Sequence, residues 1–199
     1  MQGHVANGAG ALPADDAQKH VTVVRSFLRD HPQAMVPLAA HFQARQVVFD
    51  SAIRGSSMWP AIPAGARLRV QLLDGDACSS GDIIYFARDD GYMAHRVVYH
   101  GWLGATGGYL LTRGDSCIVP DPPVVSSRVL GTVVAVEIDG GWRAPGAPGS
   151  TSVVGRVARI VSLATVTALL WVSPSAAGVA ATAFQRMEAA WRVARQQLQ

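Results

Sequence analysis

Gly81-Asp82-Ile83-Ile84-Tyr85-Phe86-Ala87-Arg88-Asp89-Asp90-Gly91-Tyr92-Met93-Ala94-His95-Arg96-Val97-Val98-Tyr99 is the stretch that decides the fold class. Residues 82–87 and 92–99 are rich in the β-branched and aromatic side chains that suit a pleated surface, and the Asp/Gly cluster at 89–91 divides them as a turn would. The same texture continues outward. Further β-type runs lie at 47–53, 67–72, 109–112 and 129–138, separated by turn signals at 63–65, 74–76, 104–108 and 121–123. Short strands at such spacing predict a mainly β chain with one compact all-β domain over residues 47–145. No internal repeat is evident.

The flanks read differently. Residues 1–14 are Gly/Ala-rich and aperiodic, which predicts a flexible tail. They do not read as a signal peptide, because Asp15, Asp16 and Lys19 interrupt any apolar run. Asp15 or Asp16 can cap a helix that carries Val21, Val24, Phe27 and Leu28 on one face, with Pro32 ending it. A second helical stretch is expected over 35–46, so 15–46 reads as an N-terminal helical segment. Residues 146–159 read as a linker that opens Pro/Gly/Ser-rich. Residues 160–184 then carry no formal charge. As one helix they would extend about 37 Å, more than the ~30 Å of a bilayer's hydrocarbon core. Pro174 and many small residues make the run only moderately apolar, so a membrane-spanning or membrane-associated helix stands beside a buried or surface-lying one. Residues 185–199 read as a basic tail.

Composition excludes several mechanisms. The chain has 199 residues, 49% hydrophobic and 16% charged, too apolar for a disordered polyelectrolyte. Its net charge of +3 is dispersed, with no run of three basic residues, so no nucleic-acid partner is expected. Among 17 basic residues only Lys19 is a lysine, which removes lysine as a general base within the β region. Cys78 and Cys117 form no CxxC and no Cys/His group, so no metal is expected; they can pair in an oxidising compartment or remain two half-buried thiols. His4, His20, His31 and His41 lie outside the β region and lack metal spacing.

Three segments carry the chemistry. Gly55-Ser56-Ser57-Met58-Trp59-Pro60 follows a predicted strand. Ala94-His95-Arg96-Val97-Val98 lies within one, preceded by Gly81-Asp82-Ile83-Ile84. Leu111-Thr112-Arg113-Gly114-Asp115 precedes Pro120-Asp121-Pro122-Pro123. A serine hydroxyl is a weak nucleophile until a base stands within hydrogen-bond reach. Imidazole can take its proton and return it to a leaving amine, while an aspartate on the other ring nitrogen fixes the tautomer.

In this order the boxes resemble the signal peptidase family of membrane-associated serine proteases, whose fold is shared by self-cleaving repressors. The resemblance covers residues 47–140. Ser57-Met58-Trp59-Pro60 matches the family's Ser-Met-x-Pro box, and His95 before Arg96-Val97 matches the branch that uses histidine rather than lysine. The resemblance implies a signal-peptidase-like β domain, with Ser57 as nucleophile and His95 as general base. Asp115 and Asp121 supply the acidic partners, with Asp121 as the expected orienter of His95 and Asp115 bracing the site behind it. Where some members place a hydroxyl two positions before the nucleophile, this chain has Gly55, so the oxyanion would rest on backbone N–H groups, Ser57 first. Ile53, Gly55, Ser56 and Met58 on one side, with Tyr92 and Ala94 on the other, would line a groove that takes the substrate as an added strand. The implied activity is cleavage of a leader or signal segment of a peptide or preprotein through an acyl-enzyme, with no cofactor. Membrane lipid is the other expected partner, and a bacterial cell membrane crossed once by 160–184 is the expected location. The family usually carries an N-terminal anchor that is not legible here; a lone C-terminal anchor would by default place the domain on the cytoplasmic side.

Blander readings accompany each residue. Ser57 could be a turn former, His95 a strand histidine, Asp115 and Asp121 turn aspartates, and Trp59 either a core residue or an exposed rim. His100, five residues beyond His95, is expected to face the other side of a continuous strand. Two other classes remain: a catalytically idle module that holds extended peptides, and a self-cleaving regulator. The regulator would need a DNA-reading element and a lysine base, and the region before residue 47 suggests no helix-turn-helix.

Overall fold

The computed structural model describes residue 34, residues 36–37, residues 47–102 and residues 107–197. The expected N-terminal tail and the helix face of Val21, Val24, Phe27 and Leu28 lie outside them. Eight strands, β1 Val48–Ala52, β2 Arg67–Leu72, β3 Ile83–Arg88, β4 Gly91–Trp102, β5 Gly108–Arg113, β6 Val124–Val125, β7 Val129–Ile138 and β8 Gly141–Arg143, are followed by two helices, α1 Val153–Val172 and α2 Pro174–Gln197. The protein is mainly β with a C-terminal hydrophobic helix. Every strand expected from the sequence is present; β6 and β8, of two and three residues, are too short to leave a periodic signal.

All pairings are antiparallel, in the order β1-β2-β7-β3-β4-β5-β6, with β8 on β7. The β7–β8 hairpin turns through Asp139 and Gly140, both at positive φ (52° and 75°), the conformation a two-residue type I′ turn requires. Strand β3 is buried on both faces. Ile83 and Tyr85 join Met58, Ile62, Leu68, Val70, Leu130 and Val136 on one side, while Ile84 and Phe86 join Val97, Leu110, Val124 and Val129 on the other. That two-sided burial explains why its sequence reads as a continuous apolar run. The register of β4 on β3 sets Ala94 opposite Tyr85 and His95 opposite Ile84. On its other side β4 pairs with β5 only from Arg96 onward, so among the described residues 91–95 have one strand neighbour.

The C-terminal third departs from expectation. The uncharged run 160–184 is not one helix: α1 begins at Val153, within the expected linker, and stops at Ser173. The Ser152 hydroxyl caps α1 by accepting from the Gly155 N–H at 3.2 Å. Ser173 then caps the next helix, its hydroxyl accepting from the Ala176 N–H, and Pro174 takes the first position of α2, where its missing N–H costs nothing. The expected basic tail 185–199 is the second half of α2 as far as Gln197. Val166 and Leu170 of α1 and Ala177 and Ala181 of α2 bury against Leu111 of β5, with Val98, Tyr99 and Tyr109 around them. The helices therefore form a hairpin on the sheet.

Helix α1 is unusual in its distribution of polarity. The buried stripe is Gly155, Ser162, Val166 and Leu170, whereas Val153, Val154, Val157, Ile160, Val161, Trp171 and Val172 are exposed. These outer residues recur at helical spacing and form one apolar stripe. α1 is long and apolar enough to cross a membrane.

Candidate active site

Ser57 sits in the turn after β1. The Trp59 N–H bonds the Ser56 carbonyl at 3.1 Å and the Ile62 N–H bonds the Met58 carbonyl at 2.9 Å, so the segment coils tightly. Met58, 1% exposed, plunges into the core beside Ile62 and pins the turn from below. The Trp59–Pro60 peptide is cis, and Trp59 stands out at 58% exposure, the rim position rather than the core one. The turn is also fastened from the side. The Ser57 carbonyl accepts from both the N–H and the hydroxyl of Ser116, each at 2.9 Å. Gly114 lies directly beneath: a Cβ there would come within 2.7 Å of the Ser57 carbonyl oxygen and 2.9 Å of its Cβ. Only glycine lets the two backbones approach this closely.

The Ser57 hydroxyl is 2.8 Å from Nε2 of His95. Nδ1 of His95 is 2.5 Å from Oδ2 of Asp121. A carboxylate only accepts, so the proton of the neutral ring resides on Nδ1 and the lone pair of Nε2 faces the serine. His95 and Asp121 are both buried, at 4% and 6% exposure, while Ser57 is half exposed. Asp121 is held from three further directions. Its Oδ2 also accepts from the Thr112 hydroxyl at 2.7 Å, its N–H bonds the Thr112 carbonyl at 2.7 Å, and its Oδ1 accepts from the Gln185 amide at 3.1 Å.

Asp115 does not touch His95. It takes a two-pronged contact from Arg96, whose Nε and Nη2 each lie 2.8 Å from a carboxylate oxygen. Arg96 also donates to the Gly81 and Gly146 carbonyls, so it staples the turn before β3 and the segment after β8 to the Gly-Asp turn. The pair braces the loop that carries Ser116, and through it the Ser57 backbone.

The residues expected to line a groove fall into two groups. Gly55 and Ser56 are exposed beside Ser57, and a Cβ on Gly55 would lie 4.0 Å from the Ser57 hydroxyl, over open space. Ile53 is half-buried against the core, and Tyr92 is half-buried with its ring stacked on Tyr85 at 5.4 Å. Met58 and Ala94 are core residues: the burial that fixes the turn and the strand keeps their side chains from a bound peptide and leaves only their backbones to line a groove. Strand β4 pairs with β3 along residues 91–96 and with β5 from Arg96 onward, so His95 lies just before the β5 pairing begins. Among the described residues the Ser57 N–H makes no backbone hydrogen bond.

Neither cysteine is disulfide-bonded. Burial, then nearby Asp82, Asp74 and Asp76, pushes the Cys78 thiol up to about 12. Cys117, beside Gly114, is pushed up by burial and by Glu188. Both shifts favour the neutral thiol. His100 is apart from the site, its Nδ1 bonded to the Cys78 carbonyl at 2.9 Å. Thr112, Arg96 and Gln185 contact the acidic residues but had no role in the sequence reading. Thr112 and Arg96 lie inside the quoted boxes; Gln185, beyond an uncharged run, carries no local signal at all. Comparison with protein-family models and with curated proteins finds no match.

Proposed function

We propose that this protein is a serine endopeptidase of the signal peptidase type, acting at a membrane on the leader or signal segment of a peptide or preprotein. The observation that carries the reading is the continuous Ser57–His95–Asp121 relay, with contacts of 2.8 and 2.5 Å and the acid and base both buried. His95 takes the Ser57 proton as the hydroxyl attacks the scissile carbonyl. The ring, now doubly protonated, is stabilised by Asp121 and returns the proton to the leaving amine. Water then enters and attacks the acyl carbon as it loses a proton to His95, which passes that proton to the departing Ser57 oxygen and frees the acid product. The Ser57 N–H stabilises the oxyanion in both steps.

An extended substrate is taken as an added strand beside Ser57 and His95, its backbone running past the histidine to the serine. The exposed Gly55 and Ser56 leave room for that backbone on the opposite lip. Membrane association rests on α1. Its inner stripe is seated on β5, and burial of Val166 and Leu170 contributes about 1.5–3 kcal/mol each. The helix therefore stays on the domain, with its outer apolar stripe lying in the membrane interface.

The test is N-terminal peptide profiling of the native host, wild type against Ser57→Ala and His95→Ala. The expected result is a defined set of precursors that keep their leaders in both variants, with each purified variant folded and inactive. Full cleavage by either variant overturns the assignment; peptide binding without turnover in the wild type identifies an idle module instead.

A further inference from the structure

Asp121 has two carboxylate oxygens, and they are treated differently. Oδ2 faces His95 and Thr112 within the β domain. Oδ1 is met by a residue 64 positions away, the Gln185 amide of α2, at 3.1 Å. The same amide nitrogen reaches the Pro120 carbonyl at 3.5 Å. Both partners are acceptors, so the NH₂ face of the amide must point at them. One turn further along α2, the Glu188 carboxylate accepts from the N–H groups of Ile118 and Val119 at 3.0 and 3.1 Å. Arg192 is paired with Glu188 and also donates to the Ser116 carbonyl. From α1, Arg159 donates to the Asp115 and Cys117 carbonyls. The loop 115–121, which supplies both aspartates, is thus held along its length by the helical hairpin.

We infer that Gln185 is a positioning residue of the catalytic relay: its amide fixes the Asp121 carboxylate plane so that Oδ2 alone faces Nδ1 of His95. A carboxylate with one oxygen unsatisfied in a buried site can rotate to seek a donor, and rotation lengthens the contact to His95. The hairpin is therefore part of the active site, and removing it would disarm the serine without touching the β domain's own residues. This inference rests on the relay reading of Ser57, His95 and Asp121. The titratable groups around position 185 are Asp121 and His95 from the sheet side, and Glu188 and Arg192 on α2, with Arg113 and Arg159 near Glu188 and the loop.

Two readouts on the full-length chain test it. The first is the proton NMR signal of the His95 Nδ1–H, which needs no substrate. The second is the rate at which a fluorophosphonate labels Ser57. Gln185→Leu keeps the side-chain bulk but removes the donor, and is expected to shift the Nδ1–H signal and slow labelling by about 10- to 100-fold. Gln185→Glu supplies the discriminating pH profile. Protonated, the introduced carboxyl donates to Oδ1 and the variant behaves like wild type. Ionised, it repels Asp121, so its labelling rate falls as pH rises while the wild-type rate does not. A mere packing role would give no such crossing. An unchanged Nδ1–H signal in Gln185→Leu, or parallel pH profiles for Gln185→Glu and wild type, overturns the inference. Wild-type protein that shows the Gln185-dependent signal but is never labelled at Ser57 upholds the positioning and overturns the peptidase reading.

Discussion

At the scale of single residues, two aspartates six positions apart perform different tasks because of what each meets. Asp121 meets an imidazole N–H, so its conversion to Asn leaves the shape and inverts the hydrogen-bond polarity. Asp121→Asn is expected to lower kcat by about 10⁴-fold with little loss of stability, measured by turnover and thermal melting of the same sample. Asp115 meets the Arg96 guanidinium with its side chain 3% exposed. Asp115→Asn strands a largely buried cation and is expected to cost about 3 kcal/mol, read as a fall in Tm. Equal effects of the two substitutions on both readouts would contradict this division. The boxes around Ser57, His95 and the two aspartates were legible in the sequence because each is a compact local pattern. Which aspartate faces His95 was settled only by the fold, since the loop between them bends Asp115 toward Arg96 and Asp121 back onto Thr112.

At the scale of elements, the turn after β1 and the turn after β5 form one unit through Gly114. Gly114→Ala places a methyl 2.7 Å from the Ser57 carbonyl oxygen, and neither backbone can yield without moving Ser57. That substitution should cut turnover far more than it lowers Tm; a variant with wild-type kcat would show that the close approach is dispensable. The strands were readable because β-branched runs alternate with Gly/Asp turns. Charge does not locate the helix ends: residues 160–184 lack charge throughout, yet the chain breaks between α1 and α2 within them. The break at Ser173–Pro174 carries its own signal, a capping serine followed by a proline at the first helical position, which outweighs the uniform polarity. The outer stripe of α1 gives a further expectation. Val157→Asp with Ile160→Asp should abolish sedimentation with lipid vesicles and leave the melting temperature within a degree or two, since both residues are exposed. Retained vesicle binding would remove α1 from the membrane contact.

At the scale of the whole molecule, the β domain and the helical hairpin are joined through the loop of residues 115–121, which carries Asp121, the proposed acid of the relay. Alkaline pH probes that linkage. Cys78 is pushed up to about 12 by burial and by Asp82, Asp74 and Asp76, and Tyr92 up to about 12 by burial and by Tyr85. Each binds its proton more tightly folded than unfolded, so their contribution is fully present below the unfolded values and is lost as pH rises through the folded ones. Denaturant midpoints should therefore hold through pH 8 and fall between about pH 9 and 12, and a thiol reagent at pH 8 should leave native Cys78 unmodified. A midpoint that rises over that window would contradict the burial of these groups. The union of hairpin and sheet was beyond the sequence, because Gln185, Glu188 and Arg159 are ordinary polar helix residues until the fold sets them against residues 115–121. The most direct test of the central claim is mass-spectrometric mapping of the fluorophosphonate adduct on purified full-length protein. One adduct is expected on Ser57, and it disappears in His95→Ala; an adduct that persists in that variant, or none on Ser57 in the wild type, overturns the serine peptidase reading.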